Sequence, residues 1–222
     1  MNLLEICNRL AQEGAINGDP LLSSIEMQTG ERKRVVDWAN DALREILGYH
    51  RWPFLWENPT LSMAPGSNII VTTVPESRWD KDQTWRVAYS GNNSDCLLDF
   101  IQWSQFSSMY RRLNAPGNIT AWTLRPDNAM VFNAVCNTTP YTYINVQRWK
   151  QPVPMVVATD SPPFDADLHM LVVYTALKKL AGYDEAGNQR AVAIDEIKTL
   201  QAAFNERYLP SFSMGGSLLD NY

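Results

Sequence analysis

The sequence is poor in the residues that most often carry chemistry. Its three cysteines, Cys7, Cys96 and Cys136, lie far apart and form no CxxC pair. That spacing argues against a disulfide framework and suits a reducing compartment. The two histidines, His50 and His169, have neither a cysteine nor a second histidine at metal-ligand spacing. We therefore expect structural histidines and no bound metal.

Catalytic and nucleotide-binding motifs are also missing. The chain has no GxSxG, GxxxxGK[ST] or GxGxxG segment, so neither a serine nucleophile elbow nor a phosphate-binding loop is indicated. Carboxylates do cluster at Asp160, Asp165 and Asp167, as a paired-acid hydrolase would require. This group falls at a predicted helix start, however, where the helix dipole favours negative charge. The sequence therefore predicts no catalytic residue, no cofactor and no enzymatic activity.

Long apolar runs and an excess of basic residues are absent too. The longest apolar run, residues 170–177, is interrupted by Thr175 and is too short to cross a bilayer. The first residues lack the features of a signal peptide, so we expect a protein that is made in the cytoplasm, stays there and does not bind a membrane. The formal net charge of −5 argues against binding DNA by neutralising its phosphates. An acidic protein can still surround DNA without gripping it.

Aromatic residues and proline are abundant by contrast, with eight tryptophans, nine tyrosines and thirteen prolines. Large rings suit either a packed core or a protein interface. A platform for stacking sugars is the alternative. Trp85 alternates with Arg86 as in a strand, and Trp103 has the spacing of a helix core, which favours core or interface positions for most of the tryptophans.

The hydrophobic period changes twice along the chain, from helical to strand-like and back. Helices are predicted over residues 2–13, 29–48, 166–181 and 187–208, and about six short strands with one helix, residues 99–112, lie between them. The predicted fold class is α+β, a helical bundle formed by the N- and C-terminal segments with an antiparallel β-sandwich or barrel-like insertion. The predicted parts are the discontinuous bundle (1–56 and 160–210), the β-rich insertion (57–159) and a flexible C-terminal arm (211–222).

Several segments of the chain resemble phage head-to-tail adaptor (connector) proteins. The closest similarity is the sequence PPFDADLH at residues 162–169, with VVYTAL at 172–177 and YDEA at 183–186. The pattern extends over most of the chain and includes no catalytic signature. Further similar segments are residues 28–31, 34–42 and 52–55, and the stretch from Trp85 through Phe106 and Tyr110 to Pro116 and Gly117.

The resemblance implies a structural subunit of the virion neck, at the junction of head and tail. Such adaptors form a ring, commonly of twelve copies, beneath the portal protein. The implied partners are further copies of the chain, the portal, a downstream tail or stopper protein, and genomic DNA that passes through the lumen without sequence-specific contacts. A stopper or tail-completion ring protein is the near alternative, and a sugar-binding or wall-degrading tail component is the distant one.

C-terminal segments of these adaptors often dock into the portal, and the resemblance carries that role to the apolar residues of the arm. A flexible arm becomes ordered only on binding, and apolar side chains can anchor it in pockets. The expected portal-binding residues are Leu209, Phe212, Met214, Leu218, Leu219 and Tyr222.

Overall fold

Two units of different secondary structure make up the chain. A computed structural model describes residues 1–14, 21–72, 74–81, 85–89, 95–110, 116–135 and 142–209. The helical unit comprises Met1–Phe54 and Pro152–Tyr222, and the β unit comprises Leu55–Gln151. The predicted α+β class is confirmed. The α-helices are α1 (Leu3–Glu13), α2 (Gly30–Gly48), α3 (Trp103–Met109), α4 (Met170–Tyr183) and α5 (Gly187–Tyr208).

Helix α4 lies at the centre of the helical unit, where it contacts α1, α2 and α5. Its sequence is apolar on most sides, as a helix surrounded by other helices requires, and eight of its fourteen residues are buried. The apolar stripes of α1 and α2, which include Leu10 and Ala39, are buried as well. The bundle core therefore combines segments from both ends of the chain.

Helix α1 begins at a cap that its own first residues form. The Asn2 side chain accepts a hydrogen bond from the Glu5 backbone N–H, and the Glu5 carboxylate accepts one from the Asn2 backbone N–H. This reciprocal pair is a capping box, and Gly14 ends the helix. The predicted end at residue 13 is confirmed, and the helix begins one residue later than predicted, at Leu3, because Asn2 is its cap.

The start of α4 differs from its prediction. Residues 166–168 form a 3-10 turn, and the α-helix begins only at Met170. Asp165 precedes this turn, but its side chain makes no capping hydrogen bond because its carboxylate instead binds Arg207. The helix also extends past its predicted last residue, 181, to Tyr183.

The β unit contains a seven-stranded sheet and a separate strand pair among its described residues. The sheet order is β2-β8-β4-β5-β6-β7-β3, and β1 pairs with β9. The strands are β1 (Trp56–Glu57), β2 (Thr60–Met63), β3 (Ile69–Ile70), β4 (Trp85–Tyr89), β5 (Asp95–Phe100), β6 (Ala121–Leu124), β7 (Met130–Phe132), β8 (Thr142–Asn145) and β9 (Arg148–Trp149).

One ladder departs from the predicted antiparallel pattern. Strands β5 and β6 are parallel, whereas the other described ladders are antiparallel. A parallel pair needs a crossover connection rather than a tight turn, and helix α3 lies in the connection from β5 to β6. The helix predicted inside the strand block thus belongs to a β-α-β crossover.

The sheet is open but curls toward closure. Its two edge strands, β2 and β3, are consecutive in sequence, and only residues 64–68 separate them. A chain of that length spans at most about 20 Å from Met63 to Ile69. The two edges of a seven-stranded sheet can be that close only if the sheet is strongly curved, which agrees with the predicted barrel-like insertion.

Strands β6 and β7 are buried on both faces. Trp122, Met130 and Phe132 belong to the main core of the β unit. On the opposite face Phe106 of α3 packs against Ala121 and Val131. Every residue of both strands is accordingly buried, and α3 serves as the cover for the second face.

We expect the replacement of Thr123 by valine to raise the free energy of unfolding by about 1 kcal/mol. Thr123 lies opposite Val131, and it is completely buried. Its hydroxyl oxygen has no hydrogen-bond partner within the described part of the chain, so the hydroxyl is desolvated without compensation. Urea denaturation measures the change. Thr123→Ser, which keeps the hydroxyl and loses the methyl group, is the control and should destabilise the protein; a less stable valine variant would contradict the prediction.

Candidate partner-binding surfaces

An aromatic cluster holds the end of helix α5, from which the predicted arm continues. It consists of Trp52, Phe54, Phe164, Phe204 and Tyr208. The ring centroid of Phe204 lies 4.7 Å from that of Trp52 and 5.0 Å from that of Phe164. Tyr208 lies 4.8 Å from Phe54. Edge-to-face pairs at such distances stabilise a cluster beyond the burial of area alone.

Ionic contacts reinforce this end of the helix. Arg207 Nη1 lies 2.9 Å from an Asp165 carboxylate oxygen, and Arg207 Nη2 lies 2.8 Å from Asp167. The hydrogen bond from Arg207 holds the pKa of Asp167 below its usual range. The Asp165 backbone N–H also donates to the Tyr208 hydroxyl oxygen at 3.0 Å. The base of the arm is thereby attached to the segment that leads into α4.

Asp160, the third carboxylate of the acidic cluster noted in the sequence, has a different structural role. One of its oxygens accepts hydrogen bonds from the backbone N–H groups of Val156, at 2.6 Å, and Val157, at 2.9 Å. These bonds lower the pKa of Asp160 because they favour the charged form. Asp160 thus closes a turn, while Asp165 and Asp167 bind Arg207, and each carboxylate is engaged in holding the backbone or a helix end.

The two histidines and Cys7 also occupy structural positions. His169 is buried, with Nε2 2.9 Å from the Phe164 carbonyl oxygen and Nδ1 2.7 Å from the Met1 amino group. His50 stands edge-on to Trp52 at 5.0 Å. Burial raises the pKa of the Cys7 thiol to about 12, so this thiol is protonated at neutral pH. The side chains of Cys96 and Cys136 lie outside the described residues.

Among the described residues, no group of three or more His, Cys, Asp or Glu side chains is arranged to hold a metal ion. No helix in that part of the chain is both long and apolar enough to span a bilayer.

Of the predicted portal-binding residues, the structure describes only Leu209. It is partly exposed, and its backbone N–H donates to the Asn205 carbonyl oxygen at 2.8 Å at the end of α5. The role of these residues in portal binding stays a prediction. The five that lie outside the described residues are Phe212, Met214, Leu218, Leu219 and Tyr222.

Two exposed apolar surfaces on the helical unit were not predicted from the sequence. The first, which we call the Met27 loop, comprises residues 21–29, and the Met27 side chain there is 99% exposed. The second, the valine segment, comprises residues 152–160, in which Val153 is 73% and Val156 is 69% exposed.

Comparison with known protein families identifies the chain as a member of the class of phage adaptor proteins. Residues 1–213 match the family model described as SU10 adaptor protein, and the chain belongs to that family. The predicted resemblance to phage adaptors is confirmed at this level. A search of curated proteins found no significant match.

Proposed function

We propose that the protein is a structural head-to-tail adaptor subunit of a tailed phage. Copies of the chain form a ring beneath the portal, surround the DNA channel and join the head to the tail. The single observation that carries this proposal is the family match, which extends over residues 1–213 of 222 and so includes both units and the start of the arm.

The charge of the chain supports a channel wall rather than a DNA-binding surface. With 24 acidic and 19 basic residues, the subunit repels the phosphate backbone overall. In a ring around DNA such repulsion keeps the duplex mobile, which a channel for genome passage requires. The proposed partners are other copies of the chain, the portal and a downstream tail or stopper protein, all in the virion neck, with DNA passing through and no membrane involved.

A non-enzymatic role follows from the same proposal. The predicted acidic cluster is used for local structure, since Asp160 holds a turn and Asp165 and Asp167 bind Arg207. We assign the protein the function of an assembly subunit, and no catalytic residue.

We further propose that the arm, residues 211–222, docks into the portal through Phe212, Met214, Leu218, Leu219 and Tyr222, with Leu209 at its base. The aromatic cluster and Arg207 fix the end of α5. A fixed starting point reduces the conformational freedom that the arm loses on binding.

The two units are proposed to act as separate domains. The discontinuous bundle, residues 1–56 and 160–210, carries the contacts between copies and the arm. The β-rich insertion, predicted as residues 57–159 and corresponding to the β unit Leu55–Gln151, provides a second surface for the tail side of the junction.

The function is tested by mass photometry of the purified chain, alone and mixed with the portal protein of the same phage. We expect a discrete ring-sized addition to the portal mass, and we expect it to disappear when residues 211–222 are deleted. The deletion leaves Leu209 and the described part of α5 intact, so circular dichroism should be unchanged.

Other outcomes separate the alternatives. A chain that ignores the portal but binds an isolated adaptor–portal complex would be a stopper or tail-completion protein. A chain that ignores both and is retained on cell-wall polysaccharide would be a sugar-binding tail component. Either result would overturn the adaptor proposal.

A further inference from the structure

Strand β3 forms one edge of the seven-stranded sheet, and this edge is apolar and accessible. In the strand order of the described residues β3 comes last, next to β7. The Ile69 side chain is 38% exposed and that of Val71 is 84% exposed, while Ile70 between them packs against the core of the β unit. An exposed apolar edge strand is a template for pairing with a strand of another chain.

The sequence around this strand strengthens that tendency. Residues 68–74 have the sequence NIIVTTV, in which six of the seven side chains are β-branched and none is charged. Short segments with high β-propensity, little charge and no proline are those that stack most readily into intermolecular sheets. A protein that carries such a segment at a sheet edge therefore needs a device that blocks the edge.

The main-chain groups of Ile69 point toward the open edge. The Phe132 N–H donates to the Asn68 carbonyl oxygen at 2.9 Å, and the Asn68 side-chain amide donates to the Phe132 carbonyl oxygen at 3.2 Å. Hydrogen-bonded and non-hydrogen-bonded pairs alternate along an antiparallel ladder, so the next pair, Ile69 and Val131, is not hydrogen-bonded. The N–H and C=O of Ile69 are therefore directed away from β7.

The Ser67 hydroxyl binds both of these groups. Its oxygen accepts a hydrogen bond from the Ile69 N–H at 3.2 Å, and its O–H donates to the Ile69 carbonyl oxygen at 3.1 Å. These are the two groups that a further strand would need at this position. An added strand therefore has to displace the hydroxyl before it can pair with Ile69.

The turn that precedes β3 places Ser67 beside the edge. The Ser67 N–H donates to the Ala64 carbonyl oxygen at 3.1 Å, and Gly66 has φ 77°. Proline at the second position, here Pro65, and glycine at the third suit a type II turn, whose third residue has a positive φ. The sequence of the turn thus fixes the position of the hydroxyl.

We propose that the Ser67 hydroxyl is an edge cap that keeps β3 from pairing with the same strand of a second copy. A second copy is the relevant donor because every subunit carries the same apolar edge, and two such edges can pair through Ile69 and Val71. The cap acts in the free chain as well as in an assembly, so this inference does not depend on the proposed ring.

Replacement of Ser67 by alanine in the full-length chain tests the cap. Sedimentation velocity over a concentration series, without portal protein, measures association beyond the species that the unchanged chain forms. We expect Ser67→Ala to associate at a concentration at least about tenfold lower, because neither copy then has to break two hydrogen bonds before pairing.

Two variants serve as matched controls. Ser67→Thr keeps the hydroxyl and should associate no more than the unchanged chain. Ser107→Ala removes another hydroxyl of the β unit, one that donates to the Ser104 carbonyl oxygen within α3 at 3.1 Å, and it should also leave association unchanged.

A charge on the edge separates strand pairing from a loss of stability. Val71→Lys in the Ser67→Ala background places a cation on the exposed edge, which opposes pairing between like edges. We expect this double variant to associate no more than the unchanged chain. A lysine at so exposed a position does not repair a folding defect, so association that arises from partial unfolding would persist. Urea denaturation records the stability of the same variants.

Three results would overturn the cap. The first is a Ser67→Ala variant that associates no more readily than the unchanged chain. The second is association of that variant that persists in the Val71→Lys background. The third is an unchanged chain whose own association is abolished by Val71→Lys, because its edge would then be open despite the hydroxyl. No portal is used, so each result is separate from a failure of the head-to-tail proposal.

Discussion

Replacing Phe204 by alanine is expected to lower the free energy of unfolding of the helical unit by about 3–5 kcal/mol. Phe204 is only 1% exposed, and its ring contacts those of Trp52, Phe164 and Tyr208. The substitution leaves a cavity among rigid rings that cannot collapse to fill it. Chemical denaturation followed by far-ultraviolet circular dichroism measures the loss, because this unit contains most of the helix.

A substitution on the exposed side of the same helix is the control. Val192 is 57% exposed, and Val192→Ala should change the free energy of unfolding by less than about 0.5 kcal/mol. A loss for Phe204→Ala that is no larger than this would show that the aromatic cluster does not stabilise α5. The end of the helix would then be a poor anchor for the arm.

The second large effect is expected in the β unit. Trp79→Ala should lower the free energy of unfolding of that unit by about 3–5 kcal/mol. Trp79 is fully buried, its indole N–H donates to the Val74 carbonyl oxygen at 3.3 Å, and the Arg148 guanidinium carbon lies 5.2 Å from its ring centroid. Truncation removes the packing, the hydrogen bond and the cation–π contact together.

On the same denaturation series, circular dichroism reports mainly on the helical unit, and tryptophan fluorescence mainly on the β unit, which contains six of the eight tryptophans. Trp56→Ala is the matched control for Trp79→Ala, since Trp56 lies in the same unit and is 44% exposed. We expect a clearly smaller effect at Trp56. Equal effects at both positions would contradict the assignment of Trp79 to the core.

The sequence predicted the helices better than the strands, for a physical reason. Helix periodicity is local, and the capping box at Asn2 and Glu5 lies within four residues. Residues 99–112 were predicted as one helix because Phe100, Trp103 and Phe106 have helical spacing. In the structure Phe100 ends strand β5 and packs against Trp122 at 4.8 Å, while Trp103 and Phe106 belong to α3. The helical spacing of these aromatic residues thus continues across the end of β5, so the spacing alone did not show where the strand ends and the helix begins.

The exposed surfaces were harder to find, because exposure depends on contacts between distant segments. The Asn40 side chain donates a hydrogen bond to the Met155 carbonyl oxygen, 115 positions away, and no local pattern at Val153 or Val156 indicates this contact. The predicted strand block extended to residue 159, whereas residues 152–159 lie in the helical unit. Two prolines in this segment, Pro152 and Pro154, were the available signal against a strand.

The discontinuity of the helical unit has a consequence for biosynthesis. Helices α1 and α2 are synthesised before residues 55–151, yet the central helix of their bundle, α4, follows that stretch. At about 5–20 residues per second, their apolar faces wait about 7–27 s until the last residue of α4 has been added. During this interval the β unit, which is already complete, can fold and shorten the loop that must close. The nascent chain is therefore most vulnerable to aggregation and to host chaperones before residue 183 emerges.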